Sequence, residues 1–427
     1  MRNANRLPAL EAAFVGLETE GAPFAFSSIL ELDRPIAVDA LRDRIDQALA
    51  GLPRYRQRLD RARRAWADDP SFQIGDHVLA ITVAAPGGST ELEALAAQLA
   101  ASDLPPQHAP WCVWTVSGLA GGRGAVITLI HHALADGIAG FRLLEHVLGA
   151  APAAPPAAAP PTRLATLRRL LAWRNVRALR RLLVDGLRPA AQLGINPRRT
   201  GRARAVASHT VALGDVKAIE RAFGATNNDI VLAVVTLALR RFVARRGLHP
   251  DRIRDVRAMV PVSRHGSGDR ATSGNRVVLL LVPLPLQEAD PVECLLRVAT
   301  TTRHHKADHT AAGGDLLVAL GDATTPAVLL DVLRVALWLR AFNVLVTNVP
   351  GPPAPLSLLG ARVTRIVPIV NLWPHQALGI AIASYAGALT FGLHVDRVAI
   401  TEVDQLRDDL AAAFAALLAE ARHARAA

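Results

Sequence analysis

Apolar and polar positions along the first part of the chain follow two different periods. Stretches at 24–32 and 125–130 are rich in apolar and β-branched residues, as is typical of buried strands. Apolar residues spaced three and four apart at 39–50, 90–101 and 138–148 predict helices that bury one face. The first part of the chain is therefore predicted to be mixed α/β.

The second part of the chain repeats this alternation. Strands are predicted at 207–213, 256–262, 276–284, 343–347, 362–369, 377–384 and 388–395. Helices are predicted at 215–223, 227–246, 291–306 and 403–422. Both parts of the chain therefore point to the same α/β class.

A segment rich in proline and alanine separates the two parts. Residues 151–162, APAAPPAAAPPT, suit an extended linker because proline fixes φ and removes hydrogen-bond donors. After it, 163–187 predicts a helix with leucines mostly on one side and arginines on the other. We therefore expect an N-terminal domain over 1–150, a linker with a basic amphipathic helix over 151–204 and a C-terminal domain over 205–427. Ligand clefts favour such domain interfaces.

The positive charge of the protein is concentrated in this linker. The 427 residues include 48 Lys+Arg and 37 Asp+Glu, a net charge of +11. Residues 151–204 contain twelve arginines and one acid, Asp185, and thus account for the whole excess. The remaining chain has no basic face, and only 4% of residues are aromatic, so no nucleic-acid partner is expected. The helix at 163–187 is expected either to contact an anionic membrane or lipid-droplet surface or to pack as a linker with solvated arginines.

Composition narrows the class of protein further. An apolar content of 51% is too high for a disordered chain, and two cysteines are too few for a disulfide framework. Acidic residues at Glu11, Glu18 and Glu20 interrupt the region where a signal peptide would need an apolar run. The longest apolar run, 277–286, contains two prolines and has about half of the ~20 residues that a membrane-spanning helix needs. We expect a cytoplasmic protein.

Several chemistries are excluded by the motifs they require. The only lysines, Lys217 and Lys306, do not follow a glycine, so the chain has no P-loop. There is also no GxSxG elbow and no GxGxxG after a strand, so neither a hydrolase serine nor a dinucleotide cofactor is expected. No carboxylate or thiol pattern completes a metal site with His304, His305 and His309, so no metal is expected.

The stretch AVITLIHHALADGIAGFRLLEHVL at 125–148 carries the strongest chemical pattern. A buried strand is predicted to end at His131 and His132, and after three more residues Asp136 and Gly137 precede a helix. A neutral imidazole held rigidly at a strand end suits a general base that takes a proton from a hydroxyl. Glycine allows a sharp turn, and the aspartate can pair with an arginine or cap the helix. His132 is therefore the predicted catalytic base.

This motif and several other blocks resemble the bacterial wax ester synthase/diacylglycerol acyltransferase family, part of the CoA-dependent acyltransferase superfamily marked by HHxxxDG. The blocks that carry the resemblance are LPALEAAFVGLET at 7–19, PRYRQRL and WADDPSF within 53–72, PWCVWTVSGLAGGRGAVITLIHHALADGIAG at 110–140, GATNNDIVLAVV at 224–235 and NVLVTNVPGPPAPLSLLGARV at 343–363. They occur in order over nearly the whole chain. The resemblance implies an α/β protein of two chloramphenicol-acetyltransferase-like domains, with mixed sheets flanked by helices and an active-site tunnel at their interface.

The resemblance also implies an activity and roles for the motif residues. The reaction would be O-acyl transfer from acyl-CoA to a long-chain alcohol or a diacylglycerol, giving a wax ester or a triacylglycerol. Acyl-CoA would be a co-substrate, and neither a metal nor another cofactor would be required. By position, His132 is the general base and Asp136 an organising group, while His131 and Gly137 support the loop.

Two further regions are candidates for contacts with the reacting groups. Asn228, which aligns with the Asn-Asp pair of the family, is the predicted donor to the oxyanion because its amide offers two N–H groups. Thr226 and Asn227 leave a second interpretation open, since such residues before an apolar helix are often N-caps. Thr347 and Asn348, before a Pro-Gly turn, are predicted either to bind substrate or to serve the turn.

Two other functions are compatible with the same motif residues. One is a related CoA-dependent acyltransferase or condensation-type enzyme that acts on a non-lipid hydroxyl or amine. The other is a protein that binds acyl-CoA or lipid without turnover. The intact HHALADG sequence argues against the non-catalytic alternative.

Overall fold

Two six-stranded sheets organise the part of the chain that the computed structural model describes, namely residues 5–19, 23–134, 147, 188–263, 277–307 and 326–426. In chain order the strands are β1 (Ala25–Leu32), β2 (Gln57–Asp60), β3 (Ala65–Asp68), β4 (Val78–Gly87), β5 (Trp111–Leu119), β6 (Gly124–His131), β7 (Arg204–Ala212), β8 (Arg257–Ser263), β9 (Val277–Pro283), β10 (Val344–Pro350), β11 (Ser357–Leu358), β12 (Ala361–Ile369), β13 (Leu378–Tyr385) and β14 (Ala388–Asp396). The helices are α1 (Ala9–Leu17), α2 (Val38–Leu49), α3 (Ile74–His77), α4 (Ser89–Ala100), α5 (Leu213–Phe223), α6 (Asn227–Arg245), α7 (Pro291–Ala307), α8 (Pro326–Trp338) and α9 (Val403–Ala426).

The first sheet combines strands from both ends of the chain. Its order is β11-β12-β1-β6-β5-β4, and only the β4–β5 pair is parallel. β1 lies between β6 and β12, so Ala25 pairs with His131 on one side and Ser27 with Ile369 on the other. The apolar run of β6 therefore sits in the middle of a sheet, where nearly every side chain is buried.

The second sheet belongs to the later part of the chain. Its order is β7-β14-β13-β10-β8-β9, with β10 parallel to both β8 and β13. The two short strands β2 and β3 form a separate two-stranded sheet, and Ala65 of β3 also forms an isolated antiparallel bridge with Arg6. Both large sheets are therefore mixed, as expected.

The two sheets touch where β14 crosses β12. A Cβ atom on Gly392 would lie 1.9 Å from the carbonyl oxygen of Pro368, so only glycine permits this approach. Nearby, the ring Nδ1 of His394 hydrogen-bonds the carbonyl oxygen of Val370 at 2.7 Å. These contacts hold the end of β12, and the loop after it, between the two sheets.

Helix α6 shows how the sequence determines the hydrophobic core around the second sheet. Its N-cap is Thr226, whose hydroxyl and backbone N–H both bond the Asp229 carboxylate in a capping box. From Ile230 onward nearly every residue of the first three turns is buried. A helix that is apolar on all sides must be covered on all sides, and α6 packs into the largest apolar cluster, with strands of the second sheet and α9.

The predicted α/β class is confirmed, and the predicted strands and helices that lie within the described residues occur within a few residues of their expected ends. The pattern missed α1, α3, α8, β2 to β5 and β11. The predicted helix at 163–187 lies outside the described residues, as does that at 138–148 apart from Val147. Among the described residues no single helix is long and apolar enough to cross a membrane, and α5 and α6 pass that test only jointly, as a pair bent by 97°.

Candidate active site

The predicted base, His132, lies directly after β6 at the junction of the two sheets. Its backbone N–H donates to the carbonyl oxygen of Phe24 at 2.8 Å, which extends the pairing of β6 with β1 by one residue. Its ring is surrounded by three phenylalanine rings, with centroid distances of 5.8 Å to Phe14, 5.7 Å to Phe24 and 5.0 Å to Phe26. The imidazole is thus held at a strand end within an apolar pocket.

This environment sets the charge of the imidazole. Burial and, to a smaller extent, the adjacent His131 together lower the pKa of His132 to about 4, although Asn371 acts in the opposite direction. The ring is therefore neutral at pH 7 and can accept a proton. A charged imidazolium would be strongly disfavoured there until a substrate or a polar neighbour stabilised it.

His131 points to a different set of groups and is fixed by them. Its Nε2 lies 3.0 Å from Oε1 of Glu18, and its Nδ1 accepts the backbone N–H of Ala133 at 2.9 Å. Because an N–H can only donate, Nδ1 must be unprotonated and Nε2 must carry the proton that Glu18 accepts. The two adjacent histidines thus have separate roles, since the ring of His131 is fully engaged and that of His132 faces the apolar pocket.

Glu18 is the acid of this site that sequence reasoning missed. Its carboxylate accepts from Nε2 of His131, from the backbone N–H of Phe24 at 3.2 Å and from the Arg61 guanidinium. Burial alone would raise the pKa of Glu18, but the hydrogen bond from His131 and the charge of Arg61 outweigh it and lower the pKa to about 2. Glu18 is 113 positions from His131, so no local spacing could reveal the pair.

The loop after β12 brings polar and aromatic groups from the later part of the chain to the same place. Asn371 is only 2% exposed. Its amide is close enough to raise the pKa of His132, yet neither amide atom makes a hydrogen bond of full geometric quality to any group in the described residues. Trp373 packs edge-on against Phe24 at 5.0 Å and Phe14 at 6.2 Å. The His132 pocket is therefore built from both parts of the chain.

The remaining predicted residues are less closely associated with His132. Asp136 and Gly137 lie outside the described residues. Asn228 is the second residue of α6 and is partly exposed, directly after the cap at Thr226. Thr347 and Asn348 lie inside β10, which continues to Pro350, and they pair with β13. Among the contacts of the described residues, none links Asn228, Thr347 or Asn348 to His132.

The histidines at 304, 305 and 309 are described only in part. His304 is exposed on α7, and the side chains of His305 and His309 lie outside the described part of the chain. Within that part, one group brings three metal-ligating side chains together, namely Asp69, His77 and His108. It lies near the start of β5, apart from the ring contacts of His132.

Comparison with known proteins gives a consistent result over both parts of the chain. Residues 7–193 match the wax ester synthase/diacylglycerol acyltransferase catalytic domain, and residues 273–418 match the C-terminal domain of the same proteins. A protein of Mycobacterium tuberculosis strain H37Rv named as a diacylglycerol O-acyltransferase is 30% identical over 91% of this chain and 85% of its own length. Another from that strain, tgs1, is 29% identical over 97% of this chain and 96% of its own.

Solved structures show the same fold. The wax ester synthase/diacylglycerol acyltransferase from Marinobacter aquaeolei VT8 superposes with a TM-score of 0.71 and 22% identity, covering 97% of this chain and 99% of that chain. The first condensation domain of the CDA synthetase superposes with a TM-score of 0.64 and 19% identity, covering 98% of this chain and 96% of that one. These neighbours are two-domain folds of the chloramphenicol-acetyltransferase type, as expected for this chain.

Proposed function

Since the chain belongs to the wax ester synthase/diacylglycerol acyltransferase family, we propose that it transfers a fatty acyl group from acyl-CoA to a long-chain alcohol or diacylglycerol with His132 as general base. The chain is an acyl-CoA-dependent O-acyltransferase that forms wax esters or triacylglycerol. The observation that carries the assignment of the base is the position of His132, whose neutral ring lies in an apolar pocket at a strand end.

The proposed reaction needs one proton acceptor and one oxyanion donor. As the acceptor oxygen attacks the thioester carbonyl carbon, its proton moves to the neutral imidazole of His132, and the carbonyl π electrons move to oxygen. The tetrahedral intermediate then collapses, the C–S bond breaks, and the CoA sulfur takes the proton from the imidazolium. Acyl-CoA is the co-substrate, and no further cofactor enters these steps.

Two amides are candidates for the oxyanion donor. Asn228 was predicted from its position in the Asn-Asp pair, and it remains a proposal. The surroundings of His132 support Asn371 as a second candidate, because its amide is buried beside the base and has no partner among the described residues. A donor that is already desolvated and aimed near the reacting centre needs little reorganisation when negative charge develops.

His131 is proposed as a positioning residue and not as a proton carrier. Its ring is held by Glu18 on one nitrogen and by the Ala133 backbone on the other. These bonds fix the turn that follows β6 and therefore the direction of the His132 ring. Asp136 and Gly137 are proposed to support the same turn from the motif.

We also propose the domain division 1–150, 151–204 and 205–427, with a substrate tunnel at the domain interface. The pocket supports this proposal, because Phe24 and His132 come from the first part and Asn371 and Trp373 from the last. An apolar tunnel would suit an acyl chain, since the rings around His132 are largely hydrocarbon. Thr347 and Asn348 on β10 are proposed to contact substrate there.

The experiment that tests the activity is an assay of CoA release. Purified protein would receive palmitoyl-CoA with hexadecanol or a diacylglycerol, and the ester product would be identified by mass. We expect acceptor-dependent release that falls about 10²–10⁴-fold in His132→Ala, the usual contribution of a general base. His423→Ala, at an exposed histidine on α9, is the control and should retain full activity. Full activity in His132→Ala would refute the proposed base.

Contact with a lipid surface is a further part of the proposal. It was predicted for 163–187, and α8 adds support, because four apolar side chains along it are exposed. These are Val328 at 47%, Val332 at 39%, Val335 at 46% and Trp338 at 72%. Exposed apolar groups beside a tryptophan are typical of surfaces that enter the headgroup region of a lipid layer.

This contact can be tested by co-sedimentation with vesicles of anionic or neutral phospholipid. We expect the bound fraction on anionic vesicles to fall when Arg174, Arg177, Arg180 and Arg181 are replaced by alanine. Trp338→Ser should lower binding to both kinds of vesicle, because it removes apolar and not charged contact. Sedimentation that neither change alters would refute the proposed contact.

A further inference from the structure

Three side chains able to bind metal converge where β4 and β5 begin. They are Asp69, just after β3, His77 at the end of α3, and His108 in the loop before β5. Each offers one ligand atom, and these three atoms all lie within 4.8 Å of one another. The three residues are spaced irregularly along the chain, so they do not form a compact metal-binding motif that could be recognised in the sequence.

His77 is already arranged as a metal-bound histidine would be. Its Nδ1 lies 2.8 Å from the carbonyl oxygen of Trp111 and must donate to it, which leaves the lone pair on Nε2. The residue is 1% exposed, and Nε2 is buried with no hydrogen-bond partner in the described part of the chain. A backbone carbonyl that fixes the tautomer and orientation of the ring is the usual support of a histidine ligand.

The ring of His77 cannot turn away from this arrangement. It lies between two aromatic rings, stacked on Phe72 at 4.9 Å and on Trp111 at 4.5 Å, each with an interplanar angle of 22°. Leaving a buried nitrogen lone pair unpartnered costs free energy. The cost is removed if an ion occupies the space that Nε2 faces.

Asp69 and His108 complete the set of ligands. The Asp69 side chain is 1% exposed, and one of its oxygens accepts from the backbone N–H of Ser71 at 3.0 Å and from its hydroxyl at 2.8 Å. The other oxygen lies 3.3 Å from Nδ1 of His108. The His108 side chain is 22% exposed, which gives an ion access from solvent.

We propose that Asp69, His77 and His108 bind a divalent transition-metal ion, with Zn²⁺ as the ion that this ligand set suits best. Two imidazole nitrogens and one carboxylate oxygen are a common ligand set for zinc, with a fourth position left for water. Bonds of ~2.0–2.2 Å at tetrahedral angles place neighbouring ligand atoms about 3.4 Å apart. The 3.3 Å between Oδ2 of Asp69 and Nδ1 of His108 is close to this spacing, and all three ligand atoms lie within 4.8 Å of one another.

The bound ion would hold in place the segment of Pro110 and Trp111, which lies next to His131. His77 bonds the carbonyl of Trp111, and the carbonyl of the preceding Pro110 accepts the backbone N–H of His131 at 3.0 Å. Metal binding would therefore fix the start of β5 against α3 and the β3 segment. Its role is to stabilise this edge of the first sheet, and it takes no part in acyl transfer.

The test uses the full chain after treatment with a chelator. Titration with Zn²⁺ by calorimetry should show one strong site, and Zn²⁺ should raise the midpoint of thermal unfolding. His108→Ala and Asp69→Asn should weaken Zn²⁺ binding by at least ~100-fold, because losing only a partner of a ligand already costs about 10–100-fold. Co²⁺ should give a visible absorption band in the wild type that His108→Ala lacks.

Two variants serve as controls. His304→Ala and His423→Ala remove exposed histidines elsewhere and should bind Zn²⁺ as the wild type does. His108 is partly exposed, so His108→Ala should fold, and its circular dichroism without metal should match the wild type. Absence of Zn²⁺ binding to the wild type, or Zn²⁺ binding that His108→Ala and Asp69→Asn retain at the strength of the wild type, would overturn the proposal.

Discussion

Replacing Glu18 by glutamine tests how the negative charge of Glu18, which contacts Arg61 and His131, stabilises the candidate site. The glutamine side chain would keep a carbonyl oxygen to accept from Nε2 of His131, but it would lack the negative charge that faces Arg61. The change is nearly isosteric, so packing around α1 should be preserved. Any effect therefore reports the charge of Glu18.

The magnitude follows from the pKa of this carboxyl. The pKa falls from 4.5 to about 2 on folding, and one pKa unit corresponds to about 1.36 kcal/mol. Ionised Glu18 therefore stabilises the native state by about 3 kcal/mol above pH 4.5. Because the pKa is lowered in the folded protein, this stabilisation is lost as pH falls from 4.5 towards 2, and about 2 kcal/mol of it is gone by pH 3.

The assay is denaturant unfolding of wild type and Glu18→Gln at several values between pH 3 and pH 7. We expect the variant to be less stable by about 2–3 kcal/mol at pH 7, with the difference shrinking as pH falls. Glu420→Gln, at an exposed position on α9, is the control and should not differ from wild type at any of these pH values. A difference between wild type and Glu18→Gln that is below about 0.5 kcal/mol at pH 7, or that does not change with pH, would refute the reasoning.

Three further outcomes follow from the site and the fold. The pKa of His132 is lowered to about 4. We therefore expect kcat/KM for acyl transfer to stay level from pH 8 to pH 5 and to fall only near pH 4. A loss of kcat/KM centred between pH 6 and pH 7 would contradict this expectation. Asn371→Leu should lower kcat by about 10-fold or more. The same change should leave the free energy of unfolding unchanged or raise it by about 1 kcal/mol, since an unpartnered buried amide is removed, and lower stability would contradict this. Thr226→Ala should lower the free energy of unfolding by about 1 kcal/mol through loss of the α6 cap, while Thr226→Ser should retain it.

The helices and strands that could be predicted from the sequence are those whose burial produces a clear local pattern of apolar residues. The run AVITLI gives β6 because the strand is buried on both faces, and the same argument gives α6, which follows a capping residue. β4 was missed because its later residues are mostly exposed, and β2 and β3 because each is only four residues long and lies outside the two large sheets. α1 and α8 were missed although they are apolar; they bury residues against each other and around Trp373.

The residues of the candidate site likewise divide into those that could be predicted from the sequence and those that could not. His131 and His132 lie at the end of a predictable strand, so both the residues and their place could be predicted. Glu18 and Asn371 are brought to them only by the pairing of distant strands. No local pattern in a single sequence records such contacts, and a buried carboxylate is identified only when its partners are known.

The pairing of β1 with β12 has a consequence for how the protein is made. β1 is complete once residue 32 has been synthesised, but the strand that covers one of its edges ends at residue 369. Contacts this distant in the chain slow folding, because a long loop must close before they form. Until then β1 presents unpaired N–H and C=O groups along one side, a surface on which other chains aggregate. The first sheet thus completes late in translation, so a ribosome that stalls before residue 361 releases a chain with an open strand edge rather than a finished domain.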